Sequence, residues 1–88
     1  MFINKTTEGK NNLCGKIVAQ KRLALTLSQN QLAKQLQLNG LDIDKNAIQR
    51  IEAGKRFVTD IELVILMSVL NFNINDIIVW YFLIFYSI

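Results

Sequence analysis

The 88-residue chain contains no proline and no histidine, one cysteine and four glycines. Without histidine the usual zinc ligand sets and every histidine-based catalytic arrangement are excluded. A single cysteine, Cys14, excludes an intramolecular disulfide and reads as a small core residue, with a redox role as the alternative. The chain has no low-complexity run and no internal repeat, and about half of it is apolar (51%). That composition describes a compact globular chain, not a disordered one. Its length allows one small domain, which buries only about 60–65% of the surface exposed by the unfolded chain.

A further absence is directional. No lysine or arginine follows Arg56, so residues 57–88 carry three acids and a charge of −3. Residues 1–56 hold all ten basic residues against four acids, giving +6. Such polarity is of the kind linked to nucleic-acid partners, although an ordinary solvated lysine surface has the same charge. The opening "MFINKTTEGKNN" has no apolar core of signal-peptide length before Leu13. Export is therefore not expected and a cytoplasmic location is.

What is present is helical. Cys14, Ile17, Val18 and Leu25 recur at helical spacing and predict a first helix from about Asn12 to Leu25, with Lys21 and Arg22 on or beside its inward stripe. Ser28 with Gln31 forms a capping-box pattern ahead of a second helix whose apolar face is Leu32, Ala33 and Leu36. Asn39-Gly40 signals a turn, and Asp44 can cap a third helix. In that helix Ile48, Ile51 and Glu52 share a side, and Gly54 ends it. Thr59 with Glu62 caps a fourth helix carrying Ile61, Leu63, Val64, Leu66, Met67 and Leu70, and a fifth begins near Asp76.

Arg22 and Glu52 are the only inward charges in this scheme. An unpaired buried charge costs several kcal/mol, roughly, whereas a hydrogen-bonded arginine–carboxylate pair is tolerated. The two are therefore expected to pair and to tie the third helix to the first, the alternative being a solvent-facing Glu52 at the helix edge. The opposite face of the third helix carries Lys45, Asn46, Gln49 and Arg50, side chains able to donate to base edges or phosphates. Lys55 and Arg56 follow, where cations suit phosphates or simply keep the surface soluble.

"Gly15…Val18…Arg22", "LSQNQLA" at 27–33 and "AIQRIEAGKR" at 47–56 together resemble the helix-turn-helix domain of phage repressor and Cro type, the xenobiotic-response-element type of bacterial regulator. The resemblance covers about residues 13–78. It implies an all-α, compact five-helix fold, with the second and third helices as the helix-turn-helix and the helix at 44–53 in the major groove. It implies base contacts from Lys45, Asn46 and Arg50, with Gln49 a further candidate, and phosphate contacts from Gln29, Lys55 and Arg56. It also implies the Arg22–Glu52 salt bridge that the helix faces suggest independently. Thr26 departs from the pattern, standing where the family usually has glycine. So does "QLNGLD", about five residues longer than the tight turn of the standard motif, with Gly40 placed to do the work of the family's glycine.

Residues 1–12 are expected to be a flexible N-terminal segment, 13–78 the DNA-binding domain, and 79–88 an apolar helical tail. The run "IIVWYFLIFYSI" is too short to span about 30 Å of hydrocarbon as a helix. Its exposed side, through Trp80, Phe82, Leu83 and Phe85, is expected to form a homodimer contact. The alternatives are a partner protein, a membrane surface or a longer parent chain. The function expected is that of a sequence-specific duplex-DNA-binding regulator, a repressor acting as a dimer. An antitoxin-like protein-interaction module is the competing reading. With no paired carboxylates and no phosphate-cradling glycine loop, no enzyme activity, cofactor or metal is expected.

Overall fold

A computed structural model describes the backbone of residues 5–86 and the side chains of residues 5–83. The described residues form five α-helices: α1 Gly15–Ala24, α2 Gln29–Leu38, α3 Lys45–Glu52, α4 Asp60–Leu70 and α5 Ile74–Tyr86. Local chemistry sets where most of them start. Ser28 Oγ accepts from Gln31 N at 3.0 Å while Gln31 Oε1 accepts from Ser28 N at 2.8 Å. Thr59 and Glu62 repeat this reciprocal cap on α4. Asp44 Oδ1 accepts from Ala47 N at 2.8 Å and starts α3. These side chains satisfy donors that the first helical turn leaves unpaired.

Two helix starts differ from the sequence expectation. The first helix begins at Gly15, not near Asn12, because Asn12 stays outside it and accepts the Gly15 N–H on Oδ1 at 2.9 Å. The fifth begins at Ile74, ahead of Asp76, because Asn73 and Asp76 cap each other's backbone N–H groups at 2.9 and 3.2 Å. Aspartate takes the place that glutamate or glutamine fills in the usual box.

The first four helices end alike. After α1, Leu27 N bonds to Arg22 O and Thr26 N to Leu23 O; after α2, Leu41 N bonds to Leu36 O and Gly40 N to Gln37 O. Lys55 N to Arg50 O with Gly54 N to Ile51 O repeats the pair after α3, and Phe72 N to Met67 O closes α4. This is the Schellman arrangement, whose pivot residue is left-handed. The pivots are Thr26, Gly40, Gly54 and Asn71, with φ of 57°, 87°, 75° and 59°.

The core is built from Ile17 and Val18 of α1, Leu32 and Leu36 of α2, Ile48 and Ile51 of α3, Leu66 and Leu70 of α4, Phe72, and Ile77 of α5. Helix α3 packs on α1 and α2, α4 packs on the same two, and α5 packs on α1. Cys14 joins this core at 3% exposure, and burial pushes its thiol pKa up to about 11. Leu25 does not belong to it: it is the C-cap of α1 and half-exposed. Ile61 and Val64, expected on the apolar face of α4, are also exposed. No single helix among the described residues is long and apolar enough to cross a membrane.

Candidate nucleic-acid interface

Eight residues of α3 divide cleanly by face. Ala47, Ile48 and Ile51 are buried, whereas Lys45, Asn46, Gln49 and Arg50 are all exposed on the other side. Side chains three and four residues apart are neighbours on a helix surface, so the pairs Lys45–Gln49, Asn46–Arg50 and Asn46–Gln49 join these four into one patch of donors. An α-helix presenting such a patch fits the B-DNA major groove, where arginine and lysine reach guanine O6 and N7 and amides reach adenine N6 and N7.

The helix is held from behind by Glu52. Arg22 Nε donates to Glu52 Oε2 at 2.7 Å and Arg22 Nη2 to Glu52 Oε1 at 3.1 Å, a two-pronged pair at 11% and 9% side-chain exposure. Arg22 Nη1 also donates to Leu27 O at 2.7 Å, so one guanidinium joins α1, the α1–α2 turn and α3. Gln29 Nε2 adds a third hydrogen bond to Glu52, at 3.0 Å to Oε1. The amide expected at a phosphate thus has a partner inside the protein. The backbone N–H groups of Gln29 and its neighbour, at the first turn of α2, remain the natural anion ligands there.

Close approach explains Gly15. A Cβ at that position would be driven into the Ile51 carbonyl oxygen, so α1 meets the last turn of α3 almost backbone to backbone. The long turn before α3 is likewise ordered by the core. Leu41 and Ile43 point inward at 8% and 6% exposure while Asp42 between them is exposed, and Gln37 Nε2 donates to Ile43 O at 3.0 Å. The extra residues therefore form a short ordered loop, tightened by a bond from Ile43 N to Leu41 O at 3.0 Å, that buries two side chains.

Past α3, Lys55 is exposed. Arg56 is not a free cation: its Nη1 and Nη2 donate to Glu62 Oε1 and Oε2 at 3.0 and 2.8 Å. This second ion pair was not legible from helix faces, because Arg56 lies in a loop. The contact with Arg56 holds the Glu62 carboxyl below the usual carboxylate range. Sequence reasoning also missed Asn11 and Asn12, placed in the flexible segment. Asn11 Nδ2 donates to Lys55 O at 2.9 Å, and Asn12 Nδ2 donates to Ile51 O at 3.1 Å and to Arg56 O at 2.8 Å. These contacts place Asn11 and Asn12 with the folded domain. Among the described residues, no group of three or more histidines, cysteines, aspartates or glutamates could hold a metal ion.

Two helices locked through one carboxylate, the second showing a polar row, define a helix-turn-helix unit. The sequence profile of that family matches residues 18–77. The chain belongs to the phage repressor and Cro-type helix-turn-helix family, a family of DNA-binding transcription regulators, not of enzymes. No curated protein and no solved structure matches the chain.

Proposed function

We propose that the chain is a sequence-specific duplex-DNA-binding repressor that acts as a dimer. The row Lys45, Asn46, Gln49 and Arg50 on a helix fixed by the Arg22–Glu52 pair carries this reading. In it α3 enters the major groove, these four side chains contact base edges, and the Gln29 backbone N–H, Lys55 and Arg56 flank them on phosphates. Lys55 supplies the mobile positive charge. Arg56, neutralised by Glu62, contributes less charge and offers its remaining N–H donors. A repressor of this kind acts where its DNA is, in the cytoplasm of a bacterial host.

The dimer reading is supported by the outer side of α5. Ile78, Phe82, Val79 and Leu83 lie there at 44–61% exposure, in two i, i+4 rows. Trp80 is instead half-buried and packed against the core, and the Phe85 side chain lies outside the described residues. The same exposed rows support the second reading, an antitoxin-like module that binds DNA with α3 and a partner protein with α5.

Binding of purified protein to a pool of random duplexes, followed by selection, tests the first reading. It predicts recovery of two related half-sites about one helical turn apart. Arg50→Ala relaxes preference at one base pair, costing about 1–3 kcal/mol there, whereas Lys55→Ala weakens all sequences alike. The converse pattern would exchange their roles.

A further inference from the structure

The carboxamides of Asn11 and Asn12 bond to the last turn of α3 and to the loop that follows it. We infer that Asn12, assisted by Asn11, is a positioning residue for DNA binding: it holds the C-terminus of α3 and the Gly54–Arg56 loop in the geometry that presents Lys55. The inference rests on the reading of α3 as the DNA-contacting helix, and adds to it a segment outside the 18–77 match.

The geometry is specific to asparagine. Both Nδ2 hydrogens of Asn12 are used, one on Ile51 O in the last turn of α3 and one on Arg56 O in the loop. Its Oδ1 accepts from Gly15 N at the start of α1. One side chain therefore ties together the start of α1, the end of α3 and the loop. Asn11 binds two of the four carbonyls between them, its backbone N–H reaching Gly54 O at 2.8 Å and its Nδ2 reaching Lys55 O at 2.9 Å. Aspartate would keep the acceptor and lose both donors, and glutamine is longer by one methylene.

The Arg56–Glu62 pair fixes the far end of the loop to α4, and the two asparagines fix its backbone to the start of α1. Its turn supplies the N–H bonds of Gly54 and Lys55 to α3, and among the described residues the carbonyls of Gly54, Lys55 and Arg56 accept hydrogen bonds from Asn11 and Asn12. The Lys10 stem lies over Gly54, close enough that a Cβ there would sit 2.6 Å from Lys10 Cδ. A loop ordered in advance loses less conformational freedom when its cation meets a phosphate, and so binds more tightly with the same contacts.

The test uses the full chain and a duplex selected by the wild-type protein. Asn12→Asp and Asn11→Ala are compared with Ile77→Val, a core substitution on α5 that serves as a control for lost stability. Binding is measured across a salt series at a temperature where every variant is folded, and amide hydrogen exchange is followed without DNA. The expected result for Asn12→Asp is at least tenfold faster exchange at Gly54 and Lys55, whose N–H groups bond to α3, and about tenfold weaker binding. Its log K against log salt slope should be shallower by about one phosphate contact, with base preference unchanged. Ile77→Val should keep the wild-type slope. Wild-type exchange at the loop, or a wild-type slope and affinity in Asn12→Asp, overturns the inference while leaving the functional reading intact. Failure of the wild-type chain to bind any duplex overturns both.

Discussion

Thr26 sits at φ 57° at the pivot of the turn that follows α1, a conformation that costs an L-residue about 1–2 kcal/mol and a β-branched one at the upper end. Its side chain is exposed and bonds only to the neighbouring Leu25 carbonyl, so little packing is lost on removing it. Thr26→Gly should therefore stabilise the fold by about 1 kcal/mol, raising the melting temperature by about 4–8 °C in a domain of this size. No rise in a thermal melt would mean the turn is not strained. At Glu62 the sign follows from the Arg56 contact, which depresses the carboxyl in the folded chain. Its stabilising contribution is fully present above the unfolded value near 4.5 and is lost as pH falls through the lower folded value. Glu62→Gln should melt below the wild type at neutral pH, and the two melting curves should converge as the solution is acidified below 4.5. Glu52→Ala leaves the Arg22 guanidinium at 11% exposure without its carboxylate, and is expected to cost about 3–5 kcal/mol by chemical denaturation.

At the scale of the element, the legible part of the fold was the part written in local chemistry. Ser28 with Gln31, Asp44, and Thr59 with Glu62 are spaced so that a side chain reaches its own helix's N–H groups, and each of these starts was readable. Gly40 and Gly54 marked two of the four left-handed pivots. Thr26 was marked only by standing where the family usually has glycine, and Asn71, a residue type that tolerates the left-handed region, was not read as a pivot. Asn73 with Asp76 carried a usable signal in "NFNIND" that a search limited to glutamate and glutamine passes over. The exposed row of α3 and the Arg22–Glu52 contact could be read from period and charge. The Asn11 and Asn12 clamp and the Arg56–Glu62 pair could not, since contacts from loops leave no periodicity. The close meeting of α1 with α3 yields its own prediction. Gly15→Ala must push the Ile51 carbonyl, and α3 with it, away from α1, costing about 1–3 kcal/mol in overpacking and weakening any function that depends on the angle of α3. Unchanged stability in that variant would mean that the two helices have room to separate.

For the whole molecule, charge is segregated along the chain. The first 56 residues carry +6 and include α3, while the remainder carries −3 and includes the exposed apolar rows of α5. A polyanion is thus attracted to one part of the chain and repelled by the other, which leaves α5 free for a second copy or a partner protein. Sedimentation at micromolar concentration should show a dimer that Phe82→Glu disrupts, and a wild-type monomer would favour the partner-protein reading. The central claim is that α3 reads duplex DNA over a phosphate-based attraction. Its most direct test is the affinity of purified protein for its selected duplex across 50–200 mM salt, alongside Arg50→Ala and Lys55→Ala. The account predicts a steep linear fall of log K with log salt, a slope reduced by about one for Lys55→Ala, and lost preference at one base pair for Arg50→Ala. Affinity that does not change with salt, or sequence preference that survives loss of Arg50 intact, would contradict it.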